Sequence, residues 1–402
     1  MKILLSAYAC EPEAGSEPGG GYSVLRAAAE CGECWVMTRT NNVAAIATAL
    51  EKDPPTHPVH VVPVDLSPTF LRLKRAAGAT RTYYALWQKK ARRVGQYLDE
   101  QLHFDVVHHV TFSAFWLPIG ILGLRRPAVV GPISGATFTP RPLLRFLGWR
   151  GFVLDSARYV TIQFAVRWAR SRFRNHVKAL IAQDERVLSF AQRALIGPQT
   201  FAVAHPNASQ PDVAVARNPS VREPEILCIG RLLPLKGGAL ALHAFAQAEL
   251  SPEVSLCFIG EGPDLSRLMR LSQKLSLDRR VRFQGSLSRH EVLERISSAL
   301  ALLFPSFHDS AGFAVAEALS LGLPVVCLDH GGPGALTRLW PQCPSVAVPV
   351  RSAGQVVRDL AAALERYALR PAPIPEGRHH AVVSLGEILN RAYAAATAQG
   401  PR

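Results

Sequence analysis

This sequence is short of several things, and each shortage removes a class of protein. Charged residues make up 19% of its 402 positions, below the usual share of about a quarter. Hydrophobic residues are 48%, so bulk disorder is excluded. The 29 glycines and 30 prolines show no period, which excludes a collagen-like or low-complexity chain. No stretch is apolar and uncharged for long enough to predict a transmembrane helix. The seven cysteines hold a single CxxC, Cys31 to Cys34, with no second pair and no histidine couple nearby. Zinc is therefore not expected, and a reduced, cytoplasmic protein is. Acids are scarce too: 31 Asp and Glu stand against 45 Lys and Arg, a net charge of +14. That excess calls for anionic partners, whether phosphates, a membrane surface or nucleic acid.

Apolar runs of strand length alternate with helical patterns. Strands are expected at 3–9, 34–39, 59–64, 105–109 and 128–130. Helices are expected at 22–31, 43–51, 69–102 and 114–122, with a glycine-rich loop at 15–21. Residues 1–10 are too short an apolar stretch for a secretory leader and read as the first buried strand. Further strands at 179–182 and 201–204 close a first domain over 1–207. Residues 208–224 are polar, carry Pro211, Pro219 and Pro224, and read as a linker. A second strand–helix series fills 225–375, and 376–402 ends in a helix over 385–398 that is expected to pack back on the first domain. The order predicts an α/β chain of two doubly wound, Rossmann-like parallel-sheet domains facing across a cleft. Ligands of such sheets sit at the carboxyl ends of the strands.

Three loops at strand ends carry candidate chemistry. Gly19-Gly20-Gly21 follows the first strand and approximates GxGxxG, so it is a candidate anion site at a helix N-terminus. Arg39, at the end of the second strand, keeps an NADP reading open. The loop Gly230-Arg231 to Lys236-Gly237-Gly238 places two cations five residues apart, as a diphosphate would need. Gly262, in Gly260-Glu261-Gly262-Pro263, is a weaker glycine turn in the same series.

The stretch Pro305-Ser306-Phe307-His308-Asp309-Ser310-Ala311-Gly312-Phe313, continuing to Glu317-Ala318 and Gly322-Leu323-Pro324-Val325, resembles the donor signature of retaining glycosyltransferases of family 4. That family has the two-domain GT-B fold. Its signature sets two acidic residues eight positions apart, here Asp309 and Glu317. By this resemblance Glu317, expected in the first turn of a helix, accepts hydrogen bonds from the nucleotide ribose. Asp309 contacts the donor sugar, although it stands where the family has the longer Glu. Ala314 replaces the last glycine of the family's Gly-Phe-Gly link. The resemblance also assigns Arg231 and Lys236 to the diphosphate, Gly19 to Gly21 to the N-terminal glycine loop, and Gly285 to the turn facing the base. Ser310, Ala311, Gly312 and Phe313 then line the donor. His108 and His109 end a strand, and the family carries a histidine near here that faces donor and acceptor. His109 is favoured because it comes last. The opening Tyr8 to Gly19 and Gly131-Pro132-Ile133-Ser134-Gly135 resemble a subgroup used in bacterial polysaccharide and glycan assembly.

Between Arg141 and Lys178, nine Lys and Arg interleave with aromatics against a single acid, Asp155, and a second basic stretch runs from Arg72 to Arg93. Such a pattern suits an anionic membrane surface near a lipid-linked acceptor. Together these readings predict a metal-independent, cofactor-free transferase, cytoplasmic or peripheral on the inner face of the membrane. It would move a sugar from a nucleoside diphosphate sugar to a hydroxyl of a glycan, lipid-linked or small-molecule acceptor, with retention and without nucleic acid. A nucleotide-sugar epimerase of the same fold, or a catalytically weakened nucleotide-sugar-binding protein, is the alternative.

Overall fold

The structure is a computed structural model that describes residues 1–67, 70, 80–112, 114–206, 223–369 and 384–398. Thirteen strands are described: β1 (Lys2–Ser6), β2 (Glu33–Thr38), β3 (Val59–Pro63), β4 (Val106–His109), β5 (Ala128–Ile133), β6 (Val177–Ala182), β7 (Phe201–Ala204), β8 (Glu225–Ile229), β9 (Ser255–Ile259), β10 (Val281–Gly285), β11 (Ala301–Phe304), β12 (Val325–Leu328) and β13 (Val346–Val348). They form two sheets, ordered β3-β2-β1-β4-β5-β6-β7 and β10-β9-β8-β11-β12-β13. The strand pairings within both sheets are parallel. Short Val, Ile and Leu runs suit such sheets because helices bury both faces.

The described helices are α1 (Ser16–Ala29), α2 (Thr40–Lys52), α3 (Thr80–Leu102), α4 (Gly148–His176), α5 (Glu185–Ala194), α6 (Gly238–Gln247), α7 (Leu265–Lys274), α8 (Arg289–Ser298), α9 (Phe313–Ser320), α10 (Gly331–Leu339), α11 (Ala353–Leu369) and α12 (Leu385–Ala398). Their starts follow local chemistry. Asp184 caps α5 by accepting from Arg186 N and Val187 N, and Ser288 with Glu291 forms a capping box on α8. Two expectations fail here. Residues 114–122 form no α-helix, only a short 3-10 turn over Gly120–Gly123. The expected loop at 15–21 is largely helix, because α1 starts at Ser16 rather than Tyr22. The linker at 208–224 and the basic positions before Thr80 lie almost wholly outside the described residues.

The chain gathers into two compact units. The first holds residues 1–136, 162–209 and 383–402, and the second 137–161 and 210–382. The expected division put 137–161 in the first domain, whereas its contacts put it in the second. Leu143, Phe146 and Leu147 join the second unit's core, around Phe245, Phe258 and Leu303. In the first unit, Ile388, Leu389 and Tyr393 of α12 join a core with Ile3, Val36 and Ile181.

Candidate functional site

The second unit concentrates its polar chemistry at the carboxyl ends of β8, β9 and β11. The loop after β8 runs through Gly230, Arg231 and Leu232 to a short turn, Pro234–Lys236. Gly237 follows in the left-handed region at φ 74, where a Cβ would stand 2.0 Å from the Pro305 carbonyl oxygen. Only glycine lets the two loops approach so closely. The loop after β9 lies against the same turn: Leu232 N donates to Glu261 O at 2.9 Å, and Asp264 N to Leu232 O at 3.0 Å. A Cβ on Gly262 would meet Leu232 O at 2.2 Å, so this glycine serves the close packing of two loops. A small, partly open pocket lies here, lined among others by Gly230, Arg231, Lys236, Phe258, Phe304 and Pro305.

Lys236 and Asp309 meet directly. Lys236 Nζ lies 2.5 Å from Asp309 Oδ2, while Asp309 Oδ1 accepts from Gly312 N at 2.7 Å. The carboxylate thus holds the cation with one oxygen and the turn before α9 with the other. Gly312 is left-handed, at φ 64. Glu317 is the fifth residue of α9, a turn later than expected, and Arg289 Nε donates to its Oε1 at 3.1 Å. Burial pushes the Glu317 carboxyl above its ordinary 4.5, and Arg289 pulls it back. Gly285 ends β10 at φ 76, and its carbonyl accepts from Gly260 N at 2.7 Å.

Several residues that the sequence did not single out fix this loop. Thr137 Oγ1 and Ser310 Oγ are 3.0 Å apart, and Thr139 Oγ1 lies 2.8 Å from His308 Nε2. Arg158 bonds His308 Nδ1, and Asp155 Oδ1 lies 3.2 Å from Nε2. Thus residues 137–158 grip His308 and Ser310 on either side of Asp309. From the other side, Gly332 N donates to Asp309 O at 3.0 Å, and a Cβ there would stand 2.1 Å from Ser310 O. Ala311 is buried, and Phe313 opens α9 half-buried.

The first unit holds the other predicted residues. Gly19, Gly20 and Gly21 are buried inside α1 and do not form a loop ahead of it. Their size serves packing: a Cβ on Gly19 would meet Ala14 O at 2.0 Å, and on Gly21 Ala9 O at 2.1 Å. The helix N-terminus moves back to Ser16. Non-glycine residues with positive φ mark the two loops here, Glu13 at 58, Ser16 at 62 and Phe112 at 56. Such strain collects at functional loops. Glu17 Oε1 accepts from Phe112 N at 2.5 Å and joins these loops. Arg39 is occupied with Tyr8, bonding its carbonyl at 3.3 Å and lying over its ring.

The two histidines divide as strand alternation requires. His108 is a core residue, with Nδ1 2.8 Å from Tyr393 Oη and Nε2 2.9 Å from Gly131 O. His109 is also fully buried, its Nε2 3.3 Å from Tyr84 Oη. Burial, with His108 beside it, lowers His109 to about 3, so its imidazole is neutral near pH 7. In the CxxC, Cys34 is buried and its thiol pushed up to about 12 by that burial, which disfavours thiolate chemistry. Among the described residues, no cluster of three metal-ligating side chains occurs.

Residues 212–380 match the family described as glycosyl transferases group 1. A D-inositol 3-phosphate glycosyltransferase of Frankia alni is 26% identical over 57% of this chain and 58% of its own. A 2-deoxystreptamine glucosyltransferase of Streptomyces kanamyceticus is 25% identical over 55% of this chain and 58% of its own. The chain thus spans little more than half the length of these curated relatives. Among solved structures, the Anabaena protein HepE, in complex with UDP and glucose, superposes with a TM-score of 0.57 at 17% identity, covering 98% of this chain and 99% of that one. Sucrose-phosphate synthase from Thermosynechococcus elongatus gives 0.60 at 18% identity, covering 99% and 97%.

Proposed function

The fold is GT-B, two parallel-sheet α/β domains, and from it we propose that the protein is a glycosyltransferase. It moves a sugar from a nucleoside diphosphate sugar to an acceptor hydroxyl, with retention and without a metal. The observation that carries this reading is the bonded pair Lys236–Asp309, beside Arg231 at one pocket and directly before a helix bearing Glu317. The segment matched to the glycosyl transferase family contains all four of these residues.

In this reading Arg231 and Lys236 balance the charge that grows on the departing diphosphate, which is where fixed cations accelerate such a reaction most. The bond from anomeric carbon to diphosphate oxygen breaks. The acceptor oxygen bonds that carbon on the same face, and its proton passes to a diphosphate oxygen. Asp309 holds Lys236 at the pocket and, through Gly312, sets the start of α9. Glu317 accepts from the ribose hydroxyls. Ser310, Ala311, Gly312 and Phe313 supply the loop wall, and Gly285 the turn beside the base. His109 enters as a neutral hydrogen-bonding group at the end of β4, not as a base. Gly19 to Gly21 act by letting α1 sit close to the β1 loop. The acceptor is a glycan, a lipid-linked sugar or a small molecule. A reducing, cytoplasmic location goes with the seven free cysteines.

A thermal-shift panel with UDP, GDP, ADP and NADP, on wild type and Lys236→Ala, tests the reading. A ligand at 100 times its dissociation constant stabilises by about 2.7 kcal/mol. One nucleoside diphosphate should raise the melting temperature of wild type and not of the variant. Stabilisation by NADP alone, or by nothing, would sink the donor site. Release of an isomerised sugar without any acceptor would make the protein an epimerase instead.

A further inference from the structure

Helix α4 buries one face: positions 151, 155, 162, 169 and 173 recur at helical spacing and are buried. The opposite face of such a helix is ordinarily polar, and here it is not. Trp149 is 74% exposed, Phe164 69% and Leu154 68%, and Phe152, Tyr159 and Trp168 stand out beside them. Monomeric surfaces seldom gather so many large apolar side chains on one element.

The charges among them have one sign. The helix carries Arg150, Arg158, Arg167, Arg170, Arg172 and Arg174 against Asp155 alone, and that acid is buried against His308. The Arg150 guanidinium lies 5.3 Å from the Trp149 ring centroid, and that of Arg172 4.4 Å from that of Trp168. An arginine on an indole covers apolar surface while its charge stays at the water boundary.

The geometry points to an anionic lipid bilayer as the occupant of this face, with α4 lying flat among the headgroups. Charge complementarity selects it: uniformly cationic arginines meet lipid phosphates while the apolar side chains reach the acyl boundary. Exposed Trp and Tyr favour that depth, where one part of the ring is wet and the rest apolar. The apolar stretch from Trp149 to Trp168 runs about 29 Å at a rise of about 1.5 Å per residue, along the surface and not through it. No helix among the described residues is long and apolar enough to cross a membrane. This surface stands apart from the transferase reading, since vesicle binding and nucleotide binding are separate measurements.

The test is co-sedimentation of the full chain with vesicles of phosphatidylcholine, alone or mixed with phosphatidylglycerol. The wild type should bind the anionic vesicles, and added salt should weaken the binding without abolishing it. The triple substitution Trp149→Ser, Phe164→Ser, Trp168→Ser should cost about tenfold or more in partitioning at an unchanged melting temperature. Changing Arg167, Arg170 and Arg174 to Gln should remove the preference for phosphatidylglycerol. Folded wild type that ignores anionic vesicles would overturn the proposal, as would binding indifferent to both triple changes. Concentration-dependent dimerisation lost in the Ser variant would also overturn it, because a second copy would then cover the face.

Discussion

In the proposed function Lys236 answers to two anions, the Asp309 carboxylate and the diphosphate of the donor. Their competition fixes the sign of a mutational effect. At 2.5 Å the pair attracts by roughly 7 kcal/mol at an effective dielectric of about 20, before desolvation is counted. The side chains are 31% and 13% exposed, so solvent screening and the cost of leaving water reduce the net coupling to about 1–2 kcal/mol. Asp309→Asn removes that attraction and one negative charge near the diphosphate, while its amide oxygen can keep the Gly312 N–H bond. Nucleoside diphosphate binding should tighten by about threefold to tenfold, worth roughly 1 kcal/mol of relieved repulsion. Lys236→Ala should weaken binding by about tenfold or more, through loss of a charge-assisted bond. Turnover should fall in both variants, because the cation is misplaced in one and absent in the other. Calorimetric titration with UDP reads the affinities, and a double-mutant cycle on melting temperature reads the coupling. If Asp309→Asn weakens binding as much as Lys236→Ala does, the carboxylate serves only to position the lysine and the competition argument is wrong.

Gly332→Ala should destabilise the protein by about 2 kcal/mol or more and lower turnover, because the new Cβ would stand 2.1 Å from Ser310 O; a urea midpoint equal to wild type would contradict this. His308→Ala removes a partner of Thr139 and Arg158 and leaves the buried Asp155 beside a void. It should cost about 2–3 kcal/mol, read from the same midpoint, and a loss below about half a kcal/mol would show that the cluster carries no weight. The raised pKa of Glu317 means that its contribution favours folding below pH 4.5 and is lost as pH rises through the raised value. Glu317→Gln should therefore flatten the fall in melting temperature above pH 4.5, and an unchanged slope would place the titration elsewhere.

The parallel strands were legible because each is a short apolar run buried on both faces, and such runs have few other readings. Arg231 and Lys236 stood out because they lie just past a strand end, where this architecture gathers ligand chemistry, whereas Asp309 was singled out only by its resemblance to the donor signature; the structure pairs Lys236 with Asp309. Glycine misled the reading at one place. Gly19 to Gly21 look like a loop, but α1 uses their missing side chains to pass the Ala9 and Ala14 carbonyls. The bonds of Thr137, Thr139 and Arg158 to His308 and Ser310 span 150 to 173 positions, and no local pattern announces contacts at that range.

Helix α12 and residues 137–161 exchange places between the two compact units, and the exchange bears on the order of synthesis. Ile388, Leu389 and Tyr393 belong to the first unit's core, so that core stays unfinished until α12 has left the ribosome, long after β1 to β7. Until then the buried His108 has no Tyr393 hydroxyl to meet. Leu143, Phe146 and Leu147 are made early and wait for the β8–β9 region to close over them. A gene cut at the linker would therefore yield two fragments, each lacking part of its own core. A second unit transplanted from a relative would have to bring its own version of residues 137–161.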